Sequence, residues 1–132
     1  MENLLTNATE ILLLLFLVIT FLQSGIDKIT DWKGNLGWLQ GHFAETPLKN
    51  MVPLLLGTVL VTEVVAGVLC LVGIVQLLLS QDPTLAFYGA ILSCIALLML
   101  LFGQRIAKDY DGARTIAVYF IPAIFLVFLL QG

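Results

Sequence analysis

The stretch MVPLLLGTVLVTEVVAGVLCLVGIVQLLL, residues 51–79, decides the fold. It holds a single charged residue, Glu63, in a run longer than the roughly 20 apolar residues that cross a bilayer as a helix. Three further runs flank it. One spans residues 8–26, with an unbroken apolar centre from Ile11 to Ile19. Another spans residues 85–103 and carries no charge. The last spans residues 115–130 and is the shortest. Hydrophobic residues make up 60% of the 132 and charged residues only 11%, so a soluble domain of this size has no core large enough to hide four such runs. The sequence predicts an all-α membrane protein: a four-transmembrane-helix bundle forming one integral membrane domain over residues 1–132, with lipid as its main surroundings.

The segments between the runs are short and rich in breaker or polar residues, which makes neighbouring helices antiparallel. Pro53 lies near the start of the second span, where its missing N–H costs little. Pro122 lies inside the fourth, where a kink or a neighbouring donor is expected. The N-terminus lacks the basic region of a signal peptide, so the first span is expected to be retained.

All six basic residues lie in two segments. Lys28, Lys33 and Lys49 follow span one, and Arg105, Lys108 and Arg114 lie between spans three and four. Four crossings put those segments on one side. The positive-inside rule makes segments 27–50 and 104–114 cytoplasmic and both termini external, in a bacterial-type cytoplasmic membrane. No basic patch is large enough for nucleic acid.

Within segment 27–50, Trp32, Leu36, Leu39 and Phe43 share one helical face, and Trp32 and Trp38 suit the headgroup layer as interfacial anchors. A short interfacial helix is expected there. Gly34, Gly37 and Gly41 each weaken it by roughly 1 kcal/mol against Ala, and the competing reading is a Trp-anchored loop.

Glu63 is the sharpest chemical signal. It lies about 15 Å into span two, where an acidic side chain costs about 2.5–3.5 kcal/mol to insert. It is expected to face the bundle, either as a proton-carrying or ligand-binding group or as a packing hydrogen-bond partner. Thr20, Gln23, Ser24 and Asp27 form one polar face on span one, with Lys28 following at its mouth. Facing Glu63, that stripe makes a pocket; otherwise it is an interhelical hydrogen-bond seam. Glu63, Gly67 and Cys70 share a face of span two, and Ala86, Gly89, Ser93, Ala96 and Gly103 line a small-residue stripe on span three. Cys70 and Cys94 are expected to be buried, reduced and unbridged. His42, the only histidine, is expected to be a solvated loop residue, and no metal site is expected.

The stretch FLQSGIDKITD, residues 21–31, resembles the Ser-Gly-x-x-Lys-[Leu/Ile] end of the first helix in the DoxX-like family. The Trp32–Phe43 stretch with Pro47 after it resembles that family's connecting segment, and LGTVLVTEVVAG, residues 56–67, resembles its second helix. The likeness covers about residues 11–75; the second half lacks the His-containing third loop and Gly-rich end of many members. The resemblance implies the four-span outline and kinship with the small membrane subunits of a thiosulfate:quinone oxidoreductase and of redox-stress complexes. Two functions follow. One is an accessory, non-catalytic subunit of a larger membrane assembly, with protein partners or copies of itself. The other is a quinone-linked membrane oxidoreductase subunit in which Glu63 carries a proton; no electron carrier is encoded, so its redox centre would come from a partner.

Overall fold

In a computed structural model, residues 5–131 are described and form five helices. They are α1 (Ala8–Thr30), α2 (Trp32–His42), α3 (Val52–Ser80), α4 (Thr84–Ile106) and α5 (Tyr110–Gln131). The reading of Met1–Leu4 as part of a non-basic N-terminus lies outside the described residues. Helices α1, α3, α4 and α5 are long and apolar enough to cross a membrane, which makes the chain a multi-pass membrane protein.

The four long helices run up and down. α1 packs on α3, α3 on α4 and α4 on α5, while α1 and α5 meet more sparsely. Phe16 and Tyr119 bridge that last gap edge to face, their centroids 6.1 Å apart. The core holds Leu14, Leu17 and Phe21 from α1, Cys70 and Leu77 from α3, Ala90 and Leu97 from α4, and Ala123 and Leu126 from α5. Leu12, Ile19, Leu54, Val61, Leu79, Phe102, Ile121 and Phe128 point outward. In water such a surface would be a liability, and in hydrocarbon it is the expected one.

The tightest seam is α3 against α4, where the small-residue stripe works as expected. Ala86, Gly89, Ser93 and Ala96 are buried. A Cβ placed on Gly89 would lie 2.8 Å from the backbone nitrogen of Cys70, so only glycine allows that approach.

Helix ends differ from the apolar runs. α1 continues to Thr30, and α5 starts at Tyr110, five residues before the apolar run does. Asp109 explains the second difference. Its carboxylate accepts from the N–H of Gly112 at 2.9 Å, and its carbonyl from that of Ala113 at 2.9 Å, which caps the helix early. At 22 residues, α5 is about 33 Å long, and its N-terminal end adds the polar residues Asp111 and Arg114 ahead of the apolar run. At the other end, Asp82 closes the α3–α4 turn. It accepts from the hydroxyl and the N–H of Thr84, while Gln76 donates to Asp82 and accepts from the N–H of Leu85.

α2 forms despite its glycines. Asp31 caps it by accepting from the N–H of Gly34 at 3.3 Å. Trp32, Leu36, Leu39 and Phe43 are its half-buried face, and no residue of it is fully buried. His42 is not a solvated loop residue. It stacks on Trp38, its Nε2 lies 3.0 Å from Oε1 of Gln104 and 3.7 Å from Asp109, and it ties α2 to the α4–α5 turn. The two basic segments therefore share one end of the bundle.

Candidate functional site

The site begins where glycines let α1 and α3 pack tightly. A Cβ on Gly67 would lie 2.7 Å from Cδ2 of Leu22, and one on Gly25 would lie 2.8 Å from Cγ2 of Val64. This approach sets the last turn of α1 beside Glu63, which is fully buried on α3. The ammonium of Lys28 reaches back to it, with Nζ 2.9 Å from Oε1. Nζ also donates to Oγ of Ser24, one turn earlier on α1. Oε1 of Glu63 accepts no hydrogen bond among the described residues, so the Lys28 charge is what balances it. Two charges taken out of water need such a partner.

The sequence reading set Thr20, Gln23, Ser24 and Asp27 as the face toward Glu63, with Lys28 at its mouth. The carboxylate meets Lys28, and Ser24 is joined to it only through Lys28. Thr20, Gln23, Ser24 and Asp27 do line one cavity with Glu63, of about 390 Å3, completed by Leu97, Leu100, Ile116 and Tyr119. It opens between α1 and α5, and there Gln23 and Asp27 are exposed.

A second cavity, of about 580 Å3, lies under α2 against the first turns of α3 and the last turns of α4. Its wall is apolar, with Leu39, Phe43, Leu56, Leu98, Met99 and Phe102 prominent and Trp38 at the α2 side. Asn35, Thr58 and Gln104 are its polar residues, and Lys28 is its one charged residue. The ion pair thus stands between two spaces: Lys28 borders the apolar one and Glu63 the polar one.

Trp32 lies over Gly57, and Trp38 is exposed at the α2 end. Cys70 and Cys94 are unbridged and buried, and Cys70 Sγ sits 3.8 Å from Ser93 Oγ. Among the described residues no group of three or more His, Cys, Asp or Glu is placed to hold a metal. Sequence reasoning missed the roles of Gln104 and Asp109. Their signal was their position beside Lys108 in the segment facing His42, which only the fold brings together.

No protein-family model matches the chain, and neither a curated protein nor a solved structure matches it.

Proposed function

We infer that this is a DoxX-like integral membrane protein that serves as an accessory subunit of a larger membrane assembly. One observation carries the reading. The buried acid is neutralised inside the chain, by Lys28, while the polar residues Gln23 and Asp27 are left exposed on the flank between α1 and α5. Gln23 lies within span one, where a polar group is costly toward lipid, so a helix of a partner or of a second copy covers it and the neighbouring Asp27. Purification in mild detergent followed by native mass spectrometry tests this. A stoichiometric protein partner or a defined oligomer is expected, and Gln23→Leu with Asp27→Leu should release it. A monomer carrying only lipid would refute the reading.

The quinone-linked reading draws on a different observation, the apolar cavity that ends at Lys28. That wall fits a lipid-soluble molecule, with Lys28 and Gln104 as the groups able to meet a carbonyl head. A quinone in the same mass spectrum would favour it over a purely structural subunit. The positive-inside distribution supports placing α2 and the 104–114 segment in the cytoplasm of a bacterial-type inner membrane. Cysteines introduced at Lys33 and Lys108 should be labelled from that side and one at Ser80 from the other, and the reverse pattern would overturn the orientation.

A further inference from the structure

We propose that α2 is a hinged gate at the basic end of the apolar cavity, fixed to α1 at Asp31 and latched at its far end by His42. The two ends of α2 are held differently. At its start the chain is tied to the helix before it. Asp31 accepts from the N–H of Gly34, and the side-chain amide of Asn35 donates to the carbonyls of Asp27 and Asp31 at 3.3 and 2.8 Å. All of these bonds lie within residues 27–35, so they persist wherever the rest of α2 goes. Asp31 itself is not helical, with φ −133° and ψ 53°, and it alone joins α1 to α2. Hinges lie at such element-terminal positions.

At its far end, one side chain makes the polar ties to the bundle. Nε2 of His42 lies 3.0 Å from Oε1 of Gln104 and 3.7 Å from the carboxylate of Asp109. An amide oxygen only accepts, so Nε2 donates. The receiving groups are well fixed. The Gln104 amide lies against Gly112, where any Cβ would collide with it, and Asp109 caps α5. Phe43 stands edge-on to His42 and rests over Gly103 of α4. From there residues 43–51 run in turns rather than in a helix, which leaves slack for a displaced helix end.

Between its ends little holds α2 down. None of its residues is fully buried, and a Cβ on Gly37 or Gly41 would meet nothing within 4 Å, so neither glycine serves close packing. Beneath it lies the apolar cavity, with Trp38, Leu39 and Phe43 above and Val52, Leu56 and Met99 below. Leu98 and Phe102 are exposed on the α4 side, where lipid meets the cavity, whereas α2 stands between the cavity and water. Releasing His42 lets α2 turn about Asp31 as a rigid body and joins the cavity to the aqueous side. This is independent of the accessory reading and holds whichever molecule the cavity takes.

The test uses the full chain in phosphatidylcholine nanodiscs. Leu56→Cys is the reporter on the cavity floor, and Met99→Cys is a second reporter in case the first disturbs packing. The probe is methanethiosulfonate ethylsulfonate, whose charge keeps it out of lipid, so it arrives from water. Peptide mass spectrometry reads each thiol separately, and the native Cys70, fully buried in the core, reports general opening. Labelling of a shielded thiol tracks the population of the open form. His42→Ala should raise the reporter's rate about tenfold, equal to about 1.4 kcal/mol and so about one hydrogen bond, with Cys70 unchanged. His42→Gln keeps a donor for Gln104 and should stay within about threefold of the rate with His42. Gly37→Ala with Gly41→Ala stiffens the helix without touching the latch and should leave the rate within about twofold, because α2 moves whole. An unchanged reporter rate in His42→Ala would overturn the gate. So would a matching rise at Cys70, which would make the loss a general one. A slowing of about tenfold in the alanine pair would overturn the hinge, since α2 would then open by unfolding.

Discussion

Breaking the Lys28–Glu63 pair from its two ends should cost unequal amounts. In Lys28→Met the partner left behind is Glu63, whose side chain is 2% exposed and whose Oε1 accepts no hydrogen bond among the described residues. An uncompensated buried charge of that kind costs about 3–5 kcal/mol. In Glu63→Leu the partner left behind is Lys28, which keeps Ser24, is 15% exposed and has a long stem with which to reach the mouth. Its loss is nearer a lost polar contact, about 1–2 kcal/mol. The Lys28→Met, Glu63→Leu double variant replaces the pair with apolar volume and should lie within about 1 kcal/mol of the starting protein. A coupling energy of at least about 3 kcal/mol follows. Reversible unfolding in mixed lipid–detergent micelles measures all four proteins. Additive losses, or a larger loss for Glu63→Leu than for Lys28→Met, would refute the reasoning.

Other consequences follow from single contacts. Gly89→Ala should destabilise by about 1–3 kcal/mol in the same unfolding assay, because its Cβ would lie 2.8 Å from backbone that cannot give way. Gly37→Ala, with nothing within 4 Å, should instead gain about 0.5–1 kcal/mol of helix stability. Denaturing mass spectrometry after alkylation without reductant should show two modified thiols, since Cys70 and Cys94 are free, and a mass without alkylation would contradict this. The Thr84 hydroxyl, then its N–H, hold the Asp82 carboxyl below its ordinary value. A lowered value stabilises the fold above the unfolded carboxyl's titration and loses that contribution as pH falls through the folded value. Asp82→Ala should therefore be less stable than the unmodified protein near neutral pH, with the gap closing in acid.

The four spans were legible because bilayer crossing demands length and apolarity together, and nothing else in the chain supplies both. Helix ends were less legible, since polar caps set them rather than hydropathy. Asp109 starts α5 at Tyr110 although the residues that follow it include Asp111 and Arg114. α2 was ambiguous because three glycines argue against the face formed by Trp32, Leu36, Leu39 and Phe43, and the balance depends on contacts with α3 and α4. At the site, helical phase put Thr20, Gln23, Ser24 and Asp27 on the side of Glu63. It could not rank them against Lys28, because a lysine reaches along its own helix and meets groups a turn away from its Cα. His42 was misplaced for a related reason. Its partners Gln104 and Asp109 are distant in sequence, and no local pattern joins them.

A buried ion pair is a poor way to gain stability, since apolar side chains of similar volume do as well or better. Its consequence here lies in where it stands. The polar cavity opens on the flank between α1 and α5, and the apolar cavity opens under α2. Any group that binds in one space changes the charge left facing the other. A partner on the α1–α5 flank that drew Glu63 away from Lys28 would change the charge facing the apolar cavity. By linkage any molecule held by Lys28 there would change partner binding by the same factor. The size of that factor is bounded by how differently each ligand interacts with the paired and unpaired forms of Lys28 and Glu63. With apolar residues in both positions there would be no two forms to distinguish, and the two cavities would be independent.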